Sequence, residues 1–236
     1  MKFKRILIKL SGEALAGSKG TGIDFEKVLA VCEEIKEVTK LGTEVGIVVG
    51  GGNFWRGRSN TQMDRCTSDY IGMLGTTMNA LAIGDAFKQI GVEVRVQTGV
   101  EMRQIAEYYI KDRALKHLNN KRVCVFGCGT GSPFFSTDTA AALRAAEINA
   151  DALIKATNVD AIYDKDPKKH EDAKKIPKLT YLEVLNNKDI NVMDSTATTL
   201  CMDNEIPIVV FDINKKGNLK KVIEGKRIGT IVSSGE

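Results

Sequence analysis

Two hydrophobic periods alternate along the chain. Basic and apolar residues interchange from residue 3 and then run apolar to residue 10, which predicts a buried strand. Phe25, Val28, Leu29, Val31, Cys32, Ile35 and Val38 then recur at helical spacing, with Asp24 placed to cap the helix and Gly42 to end it. The same alternation continues. Strands are expected over 45–49, 92–96, 121–126 and 152–156, and helices over 67–90, 102–117 and 139–149. Thr67 or Ser68 would cap the long helix over 67–90, and Asp69 would lie in its first turn. Ile71, Leu74, Met78, Leu81 and Ile83 would bury apolar surface there. They lie on more than one side, so that helix could also form a subunit interface. Strand followed by helix, repeated, predicts an α/β fold with a parallel sheet.

Beyond residue 156 the pattern changes. Residues 164–178 are rich in Lys, Asp and Pro and read as a surface loop or hairpin. Thr180 and Glu183 have capping-box spacing, and Asp194 or Ser195 would cap a second helix. A strand over 207–211, a short helix over 219–223 and a last strand over 230–232 complete the chain.

The strand ends carry the chemistry. The run at 123–126 stops at Gly127, Gly129 and Gly131, with hydroxyls at Thr130, Ser132, Ser136 and Thr137 and a carboxylate at Asp138, which opens the next helix. Strand, glycine turn and helix start expose backbone N–H groups to an anion. A carboxylate beside phosphates organises a cation or a lysine. Lys9 stands late in a buried strand: it either snorkels at a sheet edge or emerges at the carboxyl end of its strand, where α/β folds bind ligands. Gly12 beside it allows close approach. Gly50, Gly51, Gly52 and Asn53 follow the strand over 45–49, with Trp55 and Arg56 behind them. Arg56 suits bidentate contact with phosphate, whereas Trp55 reads mainly as a packing residue.

Composition narrows this further. At 236 residues, with 43% hydrophobic and 27% charged residues, the chain is long enough for one large α/β domain. A net charge of +4 suits an anionic small substrate. The lysine pairs at 168–169, 174–175, 215–216 and 220–221 are interspersed with acids and read as a solvated face, so no nucleic-acid partner is expected. No apolar run reaches membrane-spanning length, and five cysteines without metal spacing read as reduced cytoplasmic thiols. The two histidines, His117 and His170, read as surface residues. Ser18 stands where a P-loop needs lysine, and Ser132 where a dinucleotide turn needs glycine. The three strand ends, Lys9 with Gly12, residues 50–53 with Arg56, and residues 127–137 with Asp138, point to phosphoryl transfer between a nucleoside triphosphate and an anionic acceptor, which needs positioning and charge more than a nucleophilic side chain.

The segments 9–15, 50–53, 130–138 and 155–160 together resemble the amino-acid kinase superfamily and, within it, the bacterial UMP kinases. The resemblance spans residues 4 to about 232. It implies a three-layer α/β/α sandwich around a largely parallel sheet, as a single domain over 1–236, with the acceptor side mainly in 1–150 and the ATP side mainly in 151–236. It implies ATP with Mg²⁺ held mainly by the phosphates, UMP as acceptor and UDP as product. By position, Lys9, Leu10, Ser11 and Gly12 would contact the ATP phosphates, Gly52 and Arg56 would serve the same side, and Thr157, Asn158, Tyr163 and Asp166 would hold adenosine. Gly51, Asp69, Thr130, Gly131, Ser132, Pro133, Phe134, Phe135, Ser136 and Thr137 would hold UMP. Lys9 and Asp138 would be the catalytic pair. Asp194 matches a family motif without an assigned role. The resemblance further implies a homohexamer, a trimer of dimers packed through the long helix, with GTP activation through Gly17, Ser18, Lys19, Gly20, Thr21 and Gly22 and inhibition by UTP. Two other readings remain at this point: a nucleotide-binding regulator without turnover, and a sibling kinase acting on a carboxylate.

Overall fold

Ile6, Ile8 and Leu10 point to one side of their strand and Leu7 to the other, because successive strand side chains face opposite ways. All four are buried. This strand, β1 (Arg5–Leu10), therefore needs cover on both faces. The computed structural model describes residues 3–56, 62–157, 159–165, 167, 170, 172–187, 190 and 192–235. After β1 come α1 (Phe25–Thr39), β2 (Glu44–Val49), α2 (Arg65–Gln89), β3 (Val94–Thr98), β4 (Glu107–Tyr108), α3 (Lys111–Asn119), β5 (Val123–Gly127), α4 (Thr137–Glu147) and β6 (Ala152–Thr157). There follow β7 (Ile162–Tyr163), β8 (Lys175–Ile176), β9 (Lys178–Thr180), α5 (Tyr181–Asn186), α6 (Ser195–Asp203), β10 (Ile208–Asp212), α7 (Asn218–Ile223) and β11 (Thr230–Ser233).

Among the described residues, one sheet of nine strands runs β4-β3-β5-β2-β1-β6-β10-β11-β9. From β4 to β10 every pairing is parallel; β11 turns back antiparallel to β10. The core on the Ile6 face is completed by α1, α2 and α7, through residues such as Ile35, Phe87 and Leu219. The core on the Leu7 face is completed by α3, α4, α5 and α6, through Leu118, Ala141, Tyr181 and Cys201. The fold is thus the expected three-layer sandwich. The cysteines form no disulfide, and burial pushes the thiols of Cys32, Cys124 and Cys201 up to about 12. Among the described residues no helix is long and apolar enough to cross a membrane.

Several expected elements shift, each for a physical reason. The long helix starts at Arg65, because Asp64 rather than Thr67 or Ser68 caps it, its carboxylate accepting the Thr67 N–H at 3.0 Å. Asp69 therefore lies beyond the first turn. Ile83 is buried as expected, but Leu74, Met78 and Leu81 are exposed together with Tyr70. The helix expected over 102–117 forms only from Lys111: residues 103–105 make a turn, and Glu107 and Tyr108 pair with Gln97 and Thr98 as an edge strand. Ile105, Tyr108 and Ile110, apolar or aromatic positions within that span, are exposed and face no core. His117 is not a surface residue but buried, with Nε2 3.0 Å from the Glu107 carboxylate. α4 begins at Thr137 rather than 139, since Ser136 caps it and accepts the Thr139 N–H at 3.1 Å. Residues 164–178 do contain a hairpin limb: β7 and β8 pair antiparallel, and the buried Thr230 hydroxyl bridges them, accepting from Ile162 N–H at 2.8 Å and donating to the Ile176 carbonyl at 2.6 Å. The Thr180–Glu183 capping box forms, and Asp194, not Ser195, caps α6.

Candidate active site

β5, β2, β1 and β6 are neighbours and run parallel, so their carboxyl ends open on one edge of the sheet. The chain first builds to one side of β1, through β2, and later to the other, through β6. A reversal of this kind leaves a crevice beyond the strand ends.

Alternation places Lys9 on the Leu7 face of β1 and Lys155 on the Leu153 face of β6, which is the face that α4 covers. The two lysines are register partners on adjacent strands. Asp138, in the first turn of α4, meets both: Oδ1 lies 2.8 Å from Lys9 Nζ and Oδ2 lies 3.6 Å from Lys155 Nζ. The contact with Lys9 is an ion pair rather than an aligned hydrogen bond, so among the described residues the buried Oδ1 has no hydrogen-bond donor. The Lys155 ammonium also donates to the Val192 carbonyl. Burial pushes the Asp138 carboxyl up, but the ammonium groups of Lys9 and Lys155 outweigh burial and hold it below the ordinary value. Burial pushes the Lys155 ammonium down, Asp138 opposes this and Lys9 adds to it, with a net lowering. The positive end of the α4 dipole further favours the ionised carboxylate.

The two glycine turns interlock in front of this cluster. A methyl group on Gly12 would stand 2.3 Å from Asn53 Oδ1 and 2.7 Å from the Gly50 carbonyl oxygen. One on Gly51 would stand 2.6 Å from the Gly72 carbonyl oxygen of α2. Both glycines are therefore demanded by backbone packing. The Leu10 side chain is buried in the core, and Ser11 Oγ accepts the Ala14 N–H at 3.3 Å, so these two residues offer the crevice mainly backbone.

A cavity of about 410 Å³ opens between α2 and the loop joining β5 to α4. It brings together Gly51, Gly52, Arg56, Asp69, Thr130, Ser132, Phe135, Ser136 and Thr137, with Trp55 in its wall. Gly131, Pro133 and Phe134 do not line it. Phe134 adopts φ +71°, which turns its N–H to Asp69 Oδ2 at 2.8 Å and leaves its ring exposed. Glu13 and Arg65 line the cavity and were not among the expected site residues. Glu13 is ion-paired with Arg56. Arg65 Nε lies 2.9 Å from Asp69 Oδ2, an i,i+4 pairing visible in the sequence once the helix start is placed correctly, and its guanidinium sits 5.6 Å from the Phe134 ring centre. Lys155 was likewise missed, although it repeats the signature of Lys9, a lysine late in a buried strand.

The remaining expected residues lie around this centre. Asp194 accepts from Ser136 Oγ and from Thr139 Oγ1 at 3.1 Å, which ties the start of α6 to the start of α4. Thr157 Oγ1 donates to the Val159 carbonyl at 2.8 Å, and the Tyr163 hydroxyl donates to Asp160 at 2.7 Å. Bonds from Lys175 and Tyr163 hold the Asp160 carboxyl at about 2. Neither Thr157 nor Tyr163 lines the cavity. Asn158 and Asp166, like Lys168 and Lys169, lie outside the described residues. The glycine loop runs through a short turn, Gly17–Lys19, and is clasped to the triplet: Gly22 N–H donates to the Asn53 carbonyl at 3.0 Å, and Asn53 Nδ2 donates to the Gly22 carbonyl at 2.6 Å. Among the described residues no group of three or more His, Cys, Asp or Glu side chains is placed to hold a metal ion.

The family model for the amino acid kinase family matches residues 4–212. The chain belongs to the amino acid kinase family. Among solved structures of this fold, the UMP kinase of Bacillus anthracis is 38% identical, with a TM-score of 0.95 over 100% of this chain and 98% of that one. The UMP kinase of Ureaplasma parvum is 35% identical, with a TM-score of 0.91 over 99% of this chain and 100% of that one.

The Asp138 cluster generates a stability prediction. Asp138→Asn leaves two ammonium groups facing each other without an anion, and should lower the unfolding free energy at neutral pH by roughly 3 kcal/mol. A group whose native titration is depressed stabilises above its unfolded value and loses that contribution as the pH falls through its native one. The gap between variant and wild type in urea titrations should therefore persist at neutral pH and close below the ordinary value of 3.8. A gap independent of pH would contradict the ionised cluster.

Proposed function

We propose that this chain is a UMP kinase: it transfers the γ-phosphoryl group of ATP to UMP, forming UDP and ADP in pyrimidine nucleotide biosynthesis. The observation that carries this reading is the Lys9–Asp138–Lys155 cluster at the strand ends, beside a cavity that holds Arg56, Arg65 and Asp69. Two full-length relatives at 38% and 35% identity bearing that activity support it.

In the reaction an oxygen of the UMP phosphate attacks the γ-phosphorus, and the bond from that phosphorus to the β–γ bridging oxygen breaks. The electron pair leaves with ADP. The attacking oxygen is already ionised, so no general base is needed, and the work is positioning and charge stabilisation. Lys9 faces the transferring group and offsets its charge, with the backbone of Leu10, Ser11 and Gly12 around the phosphates. Asp138 orients Lys9. Gly52 and Arg56 serve the ATP side, Arg56 exchanging Glu13 for phosphate, and Thr157, Asn158, Tyr163 and Asp166 hold adenosine. On the acceptor side Gly51 and Thr130, Gly131, Ser132, Pro133, Phe134, Phe135, Ser136 and Thr137 form the cradle, Gly131, Pro133 and Phe134 through backbone shape. Asp69 Oδ2 is occupied by Arg65 and Phe134, which leaves Oδ1 to accept from ribose hydroxyls. The acceptor half lies mainly in 1–150 and the adenosine part of the ATP half in 151–236, with the ATP phosphates reaching back to residues 9–12, Gly52 and Arg56.

Mg²⁺ fits as an ion carried on the nucleotide: Asp138 is flanked by two ammonium groups, which suits it to lysine and disfavours a direct bond to a cation. Bound to ATP, the ion offsets the charge of the phosphates. The exposed stripe of Tyr70, Leu74, Met78 and Leu81 supports packing through α2 in a homohexamer built from dimers. Regulation by GTP would act through residues 17–22, which the Asn53 clasp couples to the glycine triplet, and inhibition by UTP would follow from the same family resemblance. Unpaired thiols suit the cytoplasm.

ADP formation measured with ATP, Mg²⁺ and UMP, CMP, dUMP, AMP, acetylglutamate or aspartate tests the reading: turnover is expected with UMP, and turnover confined to another acceptor would refute it. Lys9→Ala should keep the fold and lower kcat roughly 10²–10³-fold, as for loss of one preorganised donor; an unaltered kcat at saturation would reject its role. Asp69→Ala should weaken UMP binding roughly 10- to 100-fold, as for loss of a charged hydrogen-bonding partner, and spare ATP; unchanged UMP affinity by calorimetry would rule out that contact.

A further inference from the structure

Lys155 belongs to the charge cluster but has no role of its own in the transfer described above, yet the sheet puts it where an ordinary strand residue would be apolar. Its row across the sheet runs Val48, Lys9, Lys155, Val210, read from the register of β2, β1, β6 and β10. Both outer members are buried valines. A valine at 155 would continue that packing, whereas an ammonium so buried costs stability unless it is paired. The pairing is specific. Lys155 lies 3.6 Å from the Asp138 oxygen that does not face Lys9, and it donates to the Val192 carbonyl. Two residues past Val192, Asp194 caps α6 and accepts from Ser136 and Thr139 at the start of α4. Lys155 thus holds one end of a brace whose other end fixes the helix that carries Asp138.

We propose that Lys155 is a positioning residue for phosphoryl transfer: it holds Asp138 by Oδ2, keeps Oδ1 on Lys9, and so fixes the Lys9 ammonium toward the transferring group. The inference rests on the kinase reading. It also concerns charge. Lys9 and Lys155 against Asp138 leave one positive charge in excess, and without Lys155 that excess is gone while Asp138 is free to draw Lys9 back. Lys155 does not line the cavity beside α2, so acceptor binding should be insensitive to it. The groups facing Lys155 are Lys9 from β1, Asp138 from α4 and, ahead of α6, the Val192 carbonyl and Asp194. Burial and Lys9 ease its deprotonation, so turnover should decline on the alkaline side earlier than an ordinary lysine would dictate.

The test compares wild type with Lys155→Gln, Lys155→Arg, Asp138→Asn and the double variant Asp138→Asn/Lys155→Gln, using ATP, Mg²⁺ and UMP. Lys155→Gln should lower kcat roughly 10- to 100-fold, as for one buried charge left unpaired, with UMP affinity by calorimetry unchanged. Lys155→Arg should restore most of the turnover and move the alkaline limb of kcat to higher pH, because a guanidinium stays protonated there. The double variant should be no slower than the slower single variant, as expected of residues acting as a unit. A wild-type kcat in Lys155→Gln, a loss confined to KM for UMP, or additive effects in the double variant would each overturn the inference. If Lys155→Gln does not fold, the Lys155→Arg profile decides, and an unmoved alkaline limb overturns it. Wild type without turnover on UMP would overturn the kinase reading itself, and this inference with it.

Discussion

The site depends on one buried carboxylate, Asp138, being held between two lysines. Each of these charges would be costly alone in the space between sheet and helix. Together they are tolerable because the parallel sheet aligns Lys9 and Lys155 in register and α4 delivers Asp138, with the favourable end of its dipole, to the same face. A one-residue slip of β1 against β6 would send one lysine into the opposite core. The flanking apolar runs, Ile6 to Ile8 on β1 and Ala152 to Ile154 on β6, oppose that slip: they are buried on both faces, so it would exchange side chains between two differently packed cores and leave an ammonium among apolar residues. The hydrophobic pattern therefore does more than make a sheet: it sets where the charges stand.

The glycine turns follow from the same geometry. Strands that end side by side bring their loops into contact, and the loops at Gly12 and at 50–53 approach so closely that a side-chain carbon does not fit. Asn53 and Asn79 then satisfy the polar groups this crowding would orphan, Asn79 donating to the Gly50 carbonyl at 2.7 Å and to Asn53 Oδ1 at 2.7 Å. The surface proposed to bind anions is thus a by-product of packing as much as of any ligand. This qualifies the sequence reading of the triplet: Gly51 is a glycine because α2 lies on it.

What was legible in the sequence was whatever costs free energy in isolation. Lys9 stood out because an ammonium late in a buried strand needs a reason, and the three-layer fold was legible because buried parallel strands need cover on both sides. Lys155 has the same signature but sits beside Thr157 and Asn158, whose motif drew the attention, and its partner on α4 is distant in sequence. The division of 102–117 was illegible for another reason: Ile105, Tyr108 and Ile110 are exposed, and a hydrophobic stripe indicates a helix only when a core receives it. Misplacing the start of α2 at Thr67 concealed the Arg65–Asp69 pair, since Arg65 then lay outside the helix. His117 read as a surface residue because its partner, Glu107, reaches it only once Glu107 leaves the expected helix to join the sheet.

The start of α4 joins the two halves of the site. Within a few residues it holds the end of the cavity wall, proposed as the acceptor cradle, at Ser136 and Thr137, the carboxylate at Asp138, and the hydroxyl of Thr139, which turns away to Asp194. Movement of the cradle toward or away from its ligand must therefore pass through Ser136 to Asp194 and through Asp138 to both lysines. Such a junction favours a site in which acceptor seating and alignment of the transferring group are one adjustment. The long loop from Gly127 to Ser136 meets that requirement: its left-handed turns at Cys128 and Phe134 are locked by Thr76 and Asp69 of α2, so the wall of the cavity and the charge cluster share one frame.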